Sequence, residues 1–398
     1  MNQLLAASET AWVRDRALAA GFDACGVAPA EKFPELSLYS EWLKRGYAGE
    51  MKYLQDPRRS DPQNSMPGVR SLIVCALNYN TELPYSTKVN LEADRKNPAR
   101  GWISRYAWGD DYHEVLWKKL NLLAAEMSGH FLQPHQSRAY ADTGPIHERA
   151  AAKYAGIGWL GKNTLLISQS LGSWFFLGVI LTTLPLQPTL GAADAPPPDR
   201  CGTCRRCLDA CPTQAITEPY VLDASRCISY LTIEKRGTIP EQLREPIGSH
   251  IFGCDICQDV CPWNRKSPRS QLSEFQPREI GKYEEQTPAW SLFQPDLLRI
   301  ATLSEQQFRE VFRGSPIKRT KWRGLVRNAC IALGNAQVPR NSDYYQEILA
   351  TLERLCATGD LAVSESARWA LSRIQRTRPD ADSTLRSQRV ERSGGEDV

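Results

Sequence analysis

Apolar residues recur along this chain in two periods, and the period changes where one element gives way to the next. "SLIVCALNY" (71–79) is an unbroken apolar run of strand length, which predicts a buried strand. "DYHEVLWKKLNLLAAEM" (111–127) places Val115, Leu116, Leu120, Leu123 and Met127 at helical spacing. "SRAYADTG" (137–144) predicts a strand ending in a turn, and "IHERAAAKYAG" (146–156) a helix stopped by Gly156. "NTLLIS" and "WFFLGVILTT" predict further strands. The amino-terminal "MNQLLAASETAWVRDRALAAGF" predicts an amphipathic helix carrying Leu4, Leu5, Trp12 and Leu18. These elements describe an α/β or α+β unit over 1–195, ending in the Pro-rich "GAADAPPPD" (191–199). A cysteine-rich module follows over 196–270. Helical periodicity returns in "WRGLVRNACIALGN" (322–335), "YYQEILATLERLC" (344–356) and "SARWALSRI" (366–374). Each has one apolar face, and their succession over 271–376 predicts HEAT-type helical hairpins. Residues 377–398 are polar and predict a disordered tail.

Composition narrows the class. Hydrophobic residues make up 42% and charged residues 24% of 398 positions, as in a soluble globular protein of more than one domain. The longest apolar run, "WFFLGVIL" (174–181), is far short of the roughly 18 residues of a membrane span. The first residues lack the basic and apolar regions of an export signal, so a cytoplasmic protein is expected. Net charge is only +4, but residues 311–328 hold six Arg or Lys and no acid. That stretch is either a solvated helix face or a footprint for a phosphate backbone.

Of twelve cysteines, eight lie between 201 and 261. In a large chain without a signal they are not expected to form disulfides. "CGTCRRCLDACP" sets Cys201, Cys204, Cys207 and Cys211 at C-x2-C-x2-C-x3-C-P, the run that wraps [4Fe–4S] clusters in two-cluster ferredoxins. There the fourth cysteine reaches the neighbouring cluster. "CDICQDVCP" supplies Cys254, Cys257 and Cys261, with Ile251 where a fourth is expected and Cys227 as the spare thiol. The assignment that uses all eight places Cys201, Cys204, Cys207 and Cys261 on one cluster and Cys211, Cys227, Cys254 and Cys257 on the other. Structural zinc is the rival, but zinc ribbons use paired C-x2-C knuckles instead of a triple followed by Cys-Pro. Cys25, Cys75, Cys330 and Cys356 sit in apolar contexts and are expected in cores.

Two patterns suggest nucleotide or cofactor loops and fail on context. "GIGWLGKNT" (156–164) fits G-x-G-x-x-G and nearly fits a P-loop, but a helix precedes it and a strand follows, the reverse of what either needs. A helix stop and tight turn is the expectation, with Lys162 and Asn163 free to face a pocket. "DYHEVL" (111–116) approaches D-x-H-x-x-G, a loop that ligates cobalamin cobalt, but Leu116 replaces the glycine and the segment is helical. His113 is therefore expected to be an ordinary surface or packed histidine.

Taken in order, "YLQDPRRSDP", "ISRYAWGDDYHEVL", "ADTGPIHERAAAKYAGIGWLGKNTLLI", "GSWFFLG", both cysteine runs and "CISYLTIE" resemble the epoxyqueuosine reductases, over about residues 5–376. One departure is Asp110, where many relatives would carry Arg. The resemblance implies an α+β chain with three parts. These are a nitroreductase-like domain holding base-off cobalamin, a ferredoxin-like module with two [4Fe–4S] clusters, and HEAT-like helices gripping tRNA. It implies reduction of epoxyqueuosine to queuosine at the wobble position of GUN anticodons, by cob(I)alamin chemistry with cluster electrons. A monomer served by a flavodoxin or ferredoxin donor is expected.

The resemblance also implies site residues. Asp142 matches the proton donor; its own context equally allows a cap for the helix that follows. Arg59, Tyr106, Lys162, Asn163, Ser229 and Asp255 lie in matching motifs as candidates to line the cobalamin site, or as structural polar residues. Lys318, Arg319, Lys321, Arg323 and Arg327 are the candidate phosphate contacts. The rival readings are a cobalamin and iron–sulfur reductase of a small molecule, of the reductive dehalogenase kind, and a non-enzymatic electron carrier or RNA binder.

Overall fold

A computed structural model describes residues 2–89, 99–191, 193–281 and 289–376; the expected polar tail lies outside them. Its centre is a four-stranded antiparallel sheet in the order Ala24–Pro29, Ser71–Asn78, Phe175–Thr182, Ser137–Tyr140. Register pairs Cys25 with Cys75, Cys75 with Gly178, and Ala139 with Ile180. Successive side chains of a strand point to opposite faces, and both faces of Ser71–Asn78 are covered. Ile73, Cys75 and Leu77 pack with Val13, Leu116, Leu120, Leu123 and Met127 of the helices Asn2–Ala19 and Tyr112–His130. Leu72, Val74 and Ala76 pack on the other side with Ala150, Ala151, Ala152 and Ile157. Two-sided burial explains why this strand reads as an unbroken apolar run instead of an alternating one.

The helix Glu148–Tyr154 ends where Gly156 takes φ of 80°. The expected strand in "NTLLIS" is reduced to Leu166–Ile167, paired in a short hairpin with Trp159–Leu160. A Cβ at Gly158 would stand 2.2 Å from the Ile167 carbonyl oxygen, so this glycine serves a tight hairpin and not a phosphate.

Of the three carboxy-terminal helices, Lys321–Asn335, Asp343–Cys356 and Leu361–Arg376, the last packs on both others. Their core is shared with the first half of the chain. Trp102, Ile103 and Trp108 are fully buried with Ile251, Phe252, Leu325, Ala329 and Ile348. Strand His250–Phe252 lies parallel to Trp102–Ile103 and ties the cysteine module to the same core. The expected units therefore abut through common apolar layers. Arg105, 1% exposed, is a buried joint within the first of them. Its guanidinium donates to Thr81 O and Oγ1, Leu83 O and Pro84 O, and lies over the rings of Trp108 and Trp174.

Candidate active site

Burial and neighbouring thiols raise several of the eight cysteines of the module. Cys261 is pushed up to about 11, by burial first and then by the charges of Cys201, Cys207 and Cys204. Burial, followed by Cys257 and Cys227, raises Cys254; burial, followed by Cys227, Cys207 and Cys211, raises Cys257. Repulsion is thus felt between Cys261 and Cys201, Cys204 and Cys207, between Cys254 and both Cys227 and Cys257, and between Cys257 and Cys207 and Cys211. Deprotonating several neighbouring thiols needs a bound cation to offset their charge. Among the described residues no three His, Cys, Asp or Glu side chains are close enough to share one metal ion. Tetrahedral zinc would set sulfurs about 3.8 Å apart, whereas a cubane holds them wider. The indole N–H of Trp159 is buried without a full hydrogen bond, yet it lies close enough to Cys201 to favour its thiolate.

Lys162 and Asn163, expected to face a pocket, instead hold these loops. Lys162 Nζ donates to the carbonyl oxygens of Gly202 (2.5 Å) and Cys204 (3.0 Å), and Asn163 Nδ2 to that of Cys257 (3.4 Å). Asp255 is likewise interior, 1% exposed. Its carboxylate accepts from Trp102 Nε1 at 3.1 Å, from the Arg105 backbone N–H at 2.8 Å and from the Ser104 hydroxyl. It therefore braces the loop between Cys254 and Cys257 and leaves no oxygen free for a ligand. Asp255→Ala is expected to strand three buried donors and cost about 3–5 kcal/mol. Thermal unfolding of the anaerobic protein checks this; an unchanged midpoint would contradict it. Ser229 stays near a cluster, its N–H and hydroxyl both favouring the Cys227 thiolate.

Asp142 sits where the strand Ser137–Tyr140 gives way to the helix Glu148–Tyr154, with φ of 58°. Left-handed backbone at a non-glycine residue is strained and is often kept for function. Asp142 caps no helix: the cap position is His147, and the backbone N–H of Asp142 donates to Glu148 Oε1 at 2.8 Å. Its Oδ2 accepts from the Tyr112 hydroxyl at 2.7 Å and faces His113 Nε2 at 3.6 Å. Tyr112 is fixed by stacking on Phe176 of the central sheet, 4.4 Å between ring centroids. Burial alone would raise the Asp142 carboxyl, but His113, Tyr112 and Arg149 together bring it below its ordinary value. Glu148 is pushed up to about 8, by burial first and by the charge of Asp142 second.

The residues around Asp142 lie at the surface among bulky aromatic neighbours. The Asp142 side chain is 64% exposed, Tyr53 is exposed, and Tyr106, Tyr112 and Glu148 are half-buried, while burial is the leading influence on each. That combination describes the wall of an open bowl. Tyr106 runs along it, its ring 5.9 Å from Tyr112 on the Asp142 side and 6.0 Å from Phe252, two residues before Cys254. Tyr106 thus links the Asp142 side of the bowl to the segment that carries Cys254. Arg59 stands nearby, donating to Tyr53 O and Ile146 O at 3.4 Å each. Opposite, Arg319 pairs with Glu234 at 2.9 Å and lies over Tyr53.

The basic stretch is divided. Lys318, Arg319 and Arg323 are 57%, 51% and 73% exposed, and Lys321 is exposed. Arg327 is corrected: it is 0% exposed, and its guanidinium donates to the carbonyl oxygens of Leu231, Lys235 and Gly237. It welds the helix Lys321–Asn335 to the cysteine module and cannot reach a phosphate. Asp110, the departure from the family pattern, is paired with Arg278 at 2.6 Å. The residue that sequence reasoning set aside is His113. Its Nδ1 lies 2.6 Å from Asp111 Oδ1, and Asp111 Oδ2 lies 2.7 Å from Lys318 Nζ.

Residues 59–143 match the family described as epoxyqueuosine reductase QueG, DUF1730, and residues 200–264 match the 4Fe-4S double cluster binding domain. The Gloeobacter violaceus epoxyqueuosine reductase is 43% identical over 336 residues, covering 82% of this chain and 97% of that protein. This chain belongs to the epoxyqueuosine reductase family. The Pseudomonas aeruginosa epoxyqueuosine reductase is 38% identical and covers 91% of this chain and 93% of its own length. Among solved structures, an epoxyqueuosine reductase with an epoxyqueuosine-modified tRNA-Tyr stem loop superposes with a TM-score of 0.78 at 27% identity, over 94% of this chain and 95% of that one. A Bacillus subtilis epoxyqueuosine reductase, described with its catalytic aspartate loop swung out of the active site, superposes at 0.75 and 27% identity, over 98% and 95%. As an epoxyqueuosine reductase the chain is an oxidoreductase with a double [4Fe–4S] module. Among its described residues no helix is long and apolar enough to cross a membrane.

Proposed function

We propose that this chain runs its family's reaction, reduction of epoxyqueuosine to queuosine on tRNA, in the bowl around Asp142, with a corrinoid held between Asp142 and the inner cluster. The observation that carries this reading is the position of Asp142: an accessible carboxylate on a strained turn, in an aromatic-walled bowl that Tyr106 joins, through Phe252, to the segment carrying Cys254. Converting an epoxide to an alkene and water takes two electrons and two protons. The paired clusters carry the electrons and Asp142 delivers a proton to the departing oxygen.

The residues present suit a corrinoid. Tyr53, Tyr106 and Tyr112 offer broad apolar faces, and Arg59 and Ser229 offer polar contacts at the edge for the ring's amide groups. When bound, that cofactor supplies nucleophilic two-electron chemistry that no side chain offers. The protein's part is to keep water from the reacting centre, fix Asp142 through Tyr112 and Glu148, and hold the clusters within reach. The central sheet with helices on both faces fits a nitroreductase-like arrangement, and the packed carboxy-terminal helices fit a HEAT-like one. A small flavodoxin or ferredoxin suits the outer cluster of Cys201, Cys204 and Cys207, which are half-buried at the surface.

Lys318 pairs with Asp111 and Arg319 lies over Tyr53, beside the bowl, while Lys321 and Arg323 are exposed on the same basic stretch; these four are proposed to position the tRNA backbone. Loss of one phosphate contact weakens binding and lowers the logarithmic salt slope by about one. Lys321→Ala is expected to do both, and Arg327→Ala to destabilise the protein without changing the slope. Stem-loop affinity measured across a salt series checks this, and an unchanged slope for Lys321→Ala would remove it from the interface. The whole reading is tested by anaerobic incubation of purified protein with a stem loop bearing epoxyqueuosine, a low-potential reductant and added corrinoid. Corrinoid-dependent appearance of queuosine is expected; its absence with both clusters intact would overturn the reading.

A further inference from the structure

We propose that His113 is the proton reservoir of this site, loading Asp142 through its Nε2–H while Asp111 and Lys318 hold the ring in place. The inference rests on the reading of Asp142 as proton donor. Four side chains form one line: Lys318 Nζ to Asp111 Oδ2 at 2.7 Å, Asp111 Oδ1 to His113 Nδ1 at 2.6 Å, and His113 Nε2 to Asp142 Oδ2 at 3.6 Å. Asp111 is 4% exposed at its side chain and also accepts from the His113 backbone N–H, so the near half of the line is rigid. Asp142, 64% exposed on a strained turn, is the accessible end.

The chemistry calls for such a partner. Each turnover consumes two protons, and a single carboxylic acid holds one. Asp142 is also kept below its ordinary value, so it is ionised at neutral pH and needs loading before it can donate. His113 has the opposite bias. Burial would lower it, but Asp111 and Asp142, one at each ring nitrogen, push it up to about 9, and it is charged at neutral pH. The other groups facing the pair do not reverse this. The Tyr112 ring stacks on His113 at 4.1 Å and the Trp117 ring lies 6.2 Å away. Lys318 acts across Asp111, and Arg149 and Glu148 stand behind Asp142.

Asp111 fixes the tautomer by retaining the proton on Nδ1. The mobile proton is therefore on Nε2. In the transfer the Nε2–H bond breaks and an O–H bond forms on Asp142 Oδ2, leaving a neutral imidazole and a carboxylic acid. Asp142 passes that proton to the substrate oxygen, and solvent recharges His113, whose side chain is 21% exposed. His113 acts through Asp142 and need not touch the substrate.

The test uses the holoenzyme and an epoxyqueuosine-bearing stem loop. His113→Gln retains a side-chain amide for hydrogen bonding but cannot store a proton. Its single-turnover rate at pH 7.5 is expected to fall about 10–100-fold, and the alkaline limb expected of wild type near pH 9 is expected to disappear. Nitrogen NMR of histidine-labelled holoenzyme gives a second readout. His113 is expected to stay charged past pH 8, and to lose its proton at lower pH in Asp142→Asn. A His113 that titrates near 6.5, or a His113→Gln enzyme with wild-type rate and pH profile, overturns the proposal. If Asp142→Asn itself keeps wild-type rate, the parent reading of Asp142 falls instead.

Discussion

Asp142→Asn is expected to lower turnover about 10²- to 10⁴-fold, the range that general acid catalysis contributes, while iron, sulfide and corrinoid stay bound. Asn has nearly the shape of Asp and also tolerates left-handed backbone, so the strained turn at φ of 58° survives the change. The Tyr112 hydroxyl keeps an acceptor, because the Asn carbonyl oxygen can take the place of Oδ2. What is removed is the proton that Asp142 can carry. Asp142→Ala would be less informative, since it disturbs the turn, Tyr112 and the approach of His113 together. Anaerobic single-turnover conversion of the stem loop, with metal and corrinoid counted on the same sample, is the measurement. A rate within about threefold of wild type would remove Asp142 from the chemistry. The pH profile adds a sign. The Asp142 carboxyl is depressed and the His113 ring raised to about 9. The charged pair thus persists through neutrality and is lost only as pH climbs past the folded value of His113. Activity should therefore fall on the alkaline side and hold near pH 7.

The second large effect concerns the cysteines. Cys204→Ala and Cys257→Ala are each expected to cut bound iron from about eight to about four per chain and to abolish turnover, because each removes a ligand from a different [4Fe–4S] cluster. The crossed assignment makes a sharper prediction. Cys261 follows the second run in sequence, but its charge is felt with Cys201, Cys204 and Cys207. Cys261→Ser should therefore perturb the same spectroscopic centre as Cys204→Ser, and Cys211→Ser the same centre as Cys257→Ser. Electron paramagnetic resonance of the reduced variants decides this. If Cys261→Ser instead alters the Cys257 centre, the two sets must be redrawn.

The strand and helix patterns were legible because the burial that shapes them is local to each element. Ser71–Asn78 is apolar throughout because both its faces are covered, and Tyr112–His130 carries its stripe of Leu116, Leu120, Leu123 and Met127 on the side that meets the sheet. The glycines of "GIGWLGKNT" form a turn, as the order helix, turn, strand visible in the sequence implies. The polar residues of the same segment were read less well. Lys162 and Asn163 end on backbone carbonyls of the cysteine loops, about 40 and 94 residues away, and nothing local announces such partners. The short strand Trp102–Ile103, which enters the carboxy-terminal core, was not anticipated for the same reason.

By itself the sequence determined the family, the double-cluster cysteine spacing and most of the longer strands of the central sheet. Cluster ligation depends on covalent spacing, and the buried strands on runs of adjacent residues. The tertiary structure alone decided which polar groups stand together. Asp142 meets Tyr112 and His113, about 30 residues earlier, and the line continues through Asp111 to Lys318, far along the chain. It likewise decided that Arg327, alike in sequence to Arg323, is an interior weld while Arg323 faces solvent. A side chain's charge is written in its chemistry, but its ionisation and reach depend on neighbours that only folding brings within a few ångströms.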